Sequence, residues 1–244
     1  MARSFSRMLK TAAHVALAAC PSAVKIPIYR RVFGFKIDKG ASIGMSVLDV
    51  DHLEMDATAS IGHGNVLTRT HNVSLAEGAE IGFLNLFRGG DEVRLDKYAT
   101  VLRMNVLNSI PENDCEGTPD ARLLLAPGAY IVSGHRLDFT DRISLGKNVV
   151  VAGRNSSFWT HQARRAGPID IGDFSYLGSE VRIAPGSSLG PYSILGMGSV
   201  VAGSWSDGRA VLGGVPARPI RPVTADDEKG LEHKTKKSIP DDLY

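Results

Sequence analysis

An all-β chain wound as a three-sided parallel β-helix is the fold this sequence predicts, and three observations predict it. From position 171 aliphatic residues recur every six places, at Ile171, Leu177, Ile183, Leu189, Leu195 and Val201. Each is followed by glycine or alanine, at Gly172, Gly178, Ala184, Gly190, Gly196 and Ala202. The chain also carries 26 glycines in 244 residues, an excess that points to tight turns and away from a helical protein.

A period of six fits neither an amphipathic helix nor a simple alternating strand. It fits short flat strands joined by tight corners. If each six-residue unit supplies one face of a triangular prism, three units close a coil of about 18 residues, and each aliphatic side chain stacks on its counterpart one coil later. Ile171 then lies beneath Leu189, Leu177 beneath Leu195 and Ile183 beneath Val201. The small residue that follows sits where the chain turns, and a larger one would meet the neighbouring coil.

The period extends upstream with interruptions. Leu125, Ile131 and Leu137 keep the spacing, and Leu145 and Val151 resume it after a slip. A loop from Phe158 to Pro168 delays the repeat until Ile171. Ile37, Ile43, Ile61, Val73, Leu75, Ile81 and Leu95 read as more degenerate coils. Residues 108–120 are polar with two prolines and read as an excursion from the prism. The expected organisation is therefore an N-terminal helix and leading segment over 1–36, the β-helix over 37–222, and a polar tail over 223–244 with room for one short helix.

With 43% hydrophobic residues the chain can bury a full core, and a net charge of +2 argues against a nucleic-acid partner. Cys20 and Cys115 form no metal or redox motif, so a reducing, cytoplasmic setting is expected. Arg3, Arg7 and Lys10 precede a small apolar run ending in Leu17-Ala18-Ala19-Cys20, which resembles a lipoprotein cleavage box. His14 interrupts that run, which is too short to span a bilayer. We read it as an amphipathic helix that packs on the core or makes peripheral contact with the inner face of a membrane.

The C-terminal coils IDIGDFSYLGSEVRIAPGSSLGPYSILGMGSVVAG, the exit segment VLGGVPARPIRPV and the stretch PIYRRVFGFKIDKGASIG resemble the hexapeptide-repeat acyltransferases. The likeness is to the branch of maltose, galactoside and polysaccharide O-acetyltransferases, and it covers about 37–222. It implies a left-handed coil, a homotrimer with sites in the clefts between prisms, and acetyl-CoA or another acyl-CoA as co-substrate, with no metal.

Acyl transfer to a hydroxyl needs a base for the hydroxyl proton and donors for the oxyanion. His161 is the first candidate base, because an imidazole is largely neutral at pH 7. The resemblance places the family's catalytic histidine just before the Ile169-Asp170-Ile171-Gly172-Asp173 coil, where His161 stands. His135, in another inter-coil loop, is the second candidate. Asp138, Asn155 and Trp159 are expected to orient a base or shape the acceptor site. The resemblance further implies coenzyme contacts at Ser179, Met197, Ala202 and Gly203, with Arg218 and Arg221 meeting its phosphates. Ala202-Gly203 departs from the Thr-Lys pair of many members.

The expected activity is transfer of an acetyl or similar group to a saccharide hydroxyl. An N-acetyltransferase on an amino sugar is chemically close, and a non-catalytic scaffold shares the fold. An enzyme resembling γ-class carbonic anhydrase needs three histidines at one metal. Here His52, His63 and His71 lie far upstream of His135 and His161, so that reading is the weakest.

Overall fold

The computed structural model of the chain describes residues 2–110, 116–117, 119–163 and 165–235. Cys115 and most of the polar stretch around it lie outside the described residues, as does 236–244.

Three parallel sheets form the faces of a prism. The first face runs from Lys36–Ile37 to Ser204–Trp205 in nine strands. The second runs from Ser42–Ile43 to Ala217–Pro222 in ten, and the third from Val47–Asp49 to Val200–Val201 in eight. Apart from the hairpin that ends the second face, successive strands of one face come from successive coils, so the ladder hydrogen bonds of a face join one coil to the next. The stacking partners are those the period predicts: Ile171 pairs with Leu189, Leu177 with Leu195 and Ile183 with Val201. All six belong to one continuous buried column.

The small residues after them follow from coil-to-coil distance. A Cβ on Gly172 would lie 2.5 Å from Pro191 N, and one on Gly178 2.9 Å from Met197 N. Gly196 differs. A Cβ there would meet nothing closer than 3.5 Å, because the coil above it is the last and turns into a hairpin.

The upstream coils are not degenerate sixes. After a first step of 18 from Lys36 to Glu54 they keep a regular step of their own, with His52 paired to Asn72 and Asn72 to Glu92, a step of 20 residues. The cause lies on the first face, where His52–Met55, Asn72–Leu75 and Glu92–Leu95 each bury two side chains: Leu53 and Met55, Val73 and Leu75, Val93 and Leu95. A second inward side chain costs two residues in a strand that alternates by two. The downstream first-face strand Ser188–Leu189 buries one, and the step from Asp170 to Ser188 is 18.

Insertions enter only at edges. The step from Glu92 to Arg122 is 30, and the step from Ile143 to Ile169 is 26. The second holds a two-stranded hairpin of His161–Gln162 and Arg165–Ala166. Phe158, placed by the sequence in that loop, is instead fully buried in the third-face strand Ser157–Trp159.

Two helices, not one, close the first coil: α1 (Ala2–Ala18) and α2 (Ser22–Val32). The first coil has no coil beneath it, so its carbonyls need other donors. Ser22 Oγ donates to Ile43 O at 2.6 Å, Lys25 Nζ to Gly44 O at 2.6 Å and Arg30 Nε to Ile37 O at 2.7 Å. Tyr29, Phe33, Phe35 and His14 stack into an aromatic plug over the same end. At the other end Ala210–Gly214 and Ala217–Pro222 fold into an antiparallel hairpin, and α3 (Ala225–Thr235) docks beside it. Tyr192 donates to Glu232 Oε1 at 3.1 Å and carries the Arg209 guanidinium 4.6 Å above its ring.

Gly172→Val is expected to unfold the protein at lower denaturant, with a loss of about 1–3 kcal/mol from overpacking. Ser179→Ala, on a corner beside the same coils, is expected to change the midpoint little. Chemical denaturation followed by circular dichroism reads both.

Candidate active site

Asp138 ends the third-face strand Arg136–Asp138, whose register neighbour in the next coil is Trp159. His161 leaves that neighbouring strand two residues later and opens the inserted hairpin. The insertion turns the imidazole back over the coil below. His161 Nδ1 and Asp138 Oδ2 lie 3.0 Å apart. A carboxylate only accepts, so the proton of this bond is on Nδ1, and in the neutral ring that leaves the lone pair on Nε2.

The pair is asymmetric in exposure: the His161 side chain is 22% exposed and that of Asp138 2%. Asp138 is held from its other oxygen as well, since Oδ1 accepts the Thr140 N–H at 3.0 Å. Thr160 locks the two coils together, donating to the Asp138 carbonyl at 2.8 Å and accepting from the Asp141 N–H at 2.9 Å. Of the two expectations for Asp138, the geometry gives ring orientation and not acceptor contact. A groove of about 500 Å³ runs beside the hairpin, between Gln162, Arg165 and Gly167 and the next corner at Ala184, Pro185 and Gly186.

His135 is a correction. It was the second candidate base, but it is 1% exposed and forms a rung of a buried polar ladder. Asn85 N–H donates to Asn65 Oδ1 at 2.9 Å, Asn105 N–H to Asn85 Oδ1 at 3.0 Å, and His135 N–H to Asn105 Oδ1 at 2.9 Å. The His135 Nδ1 continues the series by accepting the Ser156 N–H at 3.2 Å. Each rung satisfies a backbone donor that the corner would otherwise strand. Burial drives the His135 pKa down to about 4, the Val151 carbonyl nearby pulling weakly the other way without a bond of normal geometry. The ring is thus neutral, enclosed and out of reach of a substrate.

The other candidates divide between two edges of the third face. His161, Ala202 and Gly203 stand on the edge leading to the first face. Asn155, Ser179 and Met197 stand on the edge arriving from the second, where the Asn155 N–H donates to Gly134 O and the Gly198 N–H to Ser179 O. Met197 is 79% exposed and Asn155 is also exposed. Trp159 is exposed beside the His161 hairpin, with the Arg136 guanidinium 5.9 Å from its ring. One prism therefore does not gather all these residues at one point.

Arg221, expected to meet phosphates, forms a two-pronged ion pair with Asp227 at 2.6 and 3.1 Å. That pair and the Thr224 N–H hold the Asp227 carboxyl well below the usual carboxylate range. Arg218 is exposed, and among the described residues it has no carboxylate partner. Among the described residues no group of three histidine, cysteine, aspartate or glutamate side chains is arranged to hold a metal ion.

A relative of known activity matches this chain in sequence. It is galactoside O-acetyltransferase of Escherichia coli (strain K12), 34% identical over 101 residues, or 37% of this chain and 48% of the relative. The chain thus spans about half the length of that curated relative. No family model matches. Among solved structures, the polySia-specific acetyltransferase NeuO superposes with a TM-score of 0.49 at 18% identity, covering 83% of this chain and 98% of the other. The polysialic acid O-acetyltransferase OatWY gives 0.43 at 15%, covering 82% and 94%.

The buried histidine makes stability depend on pH. An unfolded chain protonates its histidine near pH 6.5, and the folded chain holds His135 neutral down to about 4. Stability is therefore complete above about pH 6.5 and falls as pH drops toward 4. His14, also shifted down by burial, acts in the same direction. His135→Asn, which extends the asparagine series, is expected to flatten the fall in thermal midpoint between pH 7 and pH 5, as scanning calorimetry would read.

Proposed function

We propose that the chain is an acyl-CoA-dependent O-acyltransferase that acetylates a hydroxyl of a saccharide or related acceptor, with His161 as general base. The observation that carries this reading is the 3.0 Å bond between His161 Nδ1 and the buried Asp138, at an edge where the other ring nitrogen is free to meet a substrate. In this reading Nε2 takes the acceptor's hydroxyl proton, the oxygen attacks the thioester carbonyl, and the carbon–sulfur bond breaks. The proton then passes from Nε2 to the departing thiolate. Asp138 fixes the tautomer and stabilises the imidazolium that forms, as in other carboxylate–histidine pairs. The sequence match to an O-acetyltransferase supports acetyl as the group moved.

The division of candidates between two edges supports a threefold assembly. An edge bearing His161 would face a neighbour's edge bearing Asn155, Ser179 and Met197, so that each site draws on two chains. Arg218, not Arg221, is then the guanidinium left to meet the coenzyme's phosphates.

With acetyl-CoA and a panel of saccharides, release of free thiol is expected. His161→Ala is expected to lower kcat by about 10²–10⁴. Asp138→Asn is expected to lower kcat by a similar factor while KM for acetyl-CoA moves less than about twofold, the signature of a positioning residue. No thiol release with any acceptor, or full activity in His161→Ala, would sink the assignment. For the assembly, light scattering is expected to give three times the 26.1 kDa chain mass. Two inactive variants, His161→Ala and Met197→Glu, are expected to regain turnover when co-refolded as mixed oligomers.

A further inference from the structure

The N-terminal helix is mounted with its apolar side outward. The exposed positions of α1 among its described side chains are Met8, Leu9, Ala12, Val15 and Ala16, and Ala19 follows the same line. At about 100° per residue these fall within one arc of roughly 120°. Met8 is 64% exposed, Leu9 56% and Val15 54%. The polar side of the same helix faces the protein. Lys10 Nζ donates to Val50 O at 3.2 Å and pairs with Asp51, Thr11 Oγ1 donates to Asp49 Oδ2 at 2.9 Å, and His14 is fully buried. A helix packed by hydrophobic burial alone would have the opposite orientation.

We propose that the outer stripe of α1 docks the protein on a membrane surface rich in anionic phospholipid, lying at the boundary between headgroups and acyl chains. Charge supports this occupant over others. The first 37 residues hold seven of the chain's 28 basic residues and none of its 26 acidic ones; two of the seven, Lys10 and Lys36, pair with Asp51 and Glu54, which leaves a surplus of five. A basic segment in an otherwise acidic chain is drawn to a negative surface, and an apolar stripe then gains by insertion. No described helix is long and apolar enough to cross a membrane, so the contact is made in the plane of the interface. The helix also sits at the far end of the prism from α3, capping the first coil, whereas His161 follows the sixth third-face strand. Docking therefore leaves the His161 edge open. This inference does not depend on the proposed activity.

Co-sedimentation of the purified full chain with phosphatidylcholine vesicles, with and without phosphatidylglycerol, tests it. Wild-type protein is expected to partition onto the phosphatidylglycerol vesicles at least about tenfold more strongly than onto phosphatidylcholine alone, with most of the gain lost at high salt. Leu9→Glu/Val15→Glu, both at exposed positions, is expected to abolish binding while the thermal midpoint stays unchanged. If that pair fails to fold, Ala16→Glu within the same arc replaces it. Absence of wild-type binding, or binding that survives the substitutions, overturns the proposal. So does a drop in oligomeric mass in the variant, which would show that a second copy of the chain covers the stripe.

Discussion

Parallel stacking of one coil on the next is the constraint on which everything else in this molecule depends. Each face is a column of parallel strands whose ladder hydrogen bonds run along the prism, so a residue's neighbours there are its counterparts one coil up and one coil down. Inward positions are mostly aliphatic and stack on their counterparts, as Ile171 over Leu145 and under Leu189 shows. Corners must be narrow, which is why Gly172 and Gly178 lie against the backbone of the coil above. One set of polar side chains enters as a stacked series, each rung serving the next coil's N–H, as Asn65, Asn85, Asn105 and His135 do.

The same constraint decides where chemistry can be built. A face cannot accept an extra residue without shifting the register of every coil that follows, whereas a corner can extrude a loop. The His161 hairpin is such an extrusion, and its position over the strand end at Asp138 turns a surface insertion into a fixed imidazole. The carboxylate is buried and accepts a hydrogen bond at each oxygen, while the histidine side chain stays partly exposed. A strand end thereby holds the carboxylate, and the inserted hairpin holds the imidazole.

Stacking also creates two ends, each with unpaired backbone groups. The chain closes them by different means: Ser22, Lys25 and Arg30 reach the carbonyls of the first coil, while an antiparallel hairpin and α3 finish the last. Capping consumes charge that the sequence presents as available. Lys25 is buried to serve a carbonyl and its pKa is lowered by that burial, and Arg221 is committed to Asp227 at the start of α3. The outward apolar side of α1 is the complement of this arrangement, since its polar side is occupied in holding Val50, Asp49 and Asp51.

The three-faced architecture, the stacking partners of the last coils and the reason for their glycines were all legible in residue order, because a repeat of six constrains local size and spacing. The even step of 20 upstream was not, since two inward residues per strand on one face break a rule counted in sixes. Nor could residue order separate His135 from His161. Both stand in polar stretches between coils, and only the register shows that one lies under Ser156 inside the prism while the other reaches an aspartate 23 positions away. Spacing along the chain reports what repeats. The bonds that assign roles run between coils, across 18 to 30 residues, and they exist only once the turns above and below are in place.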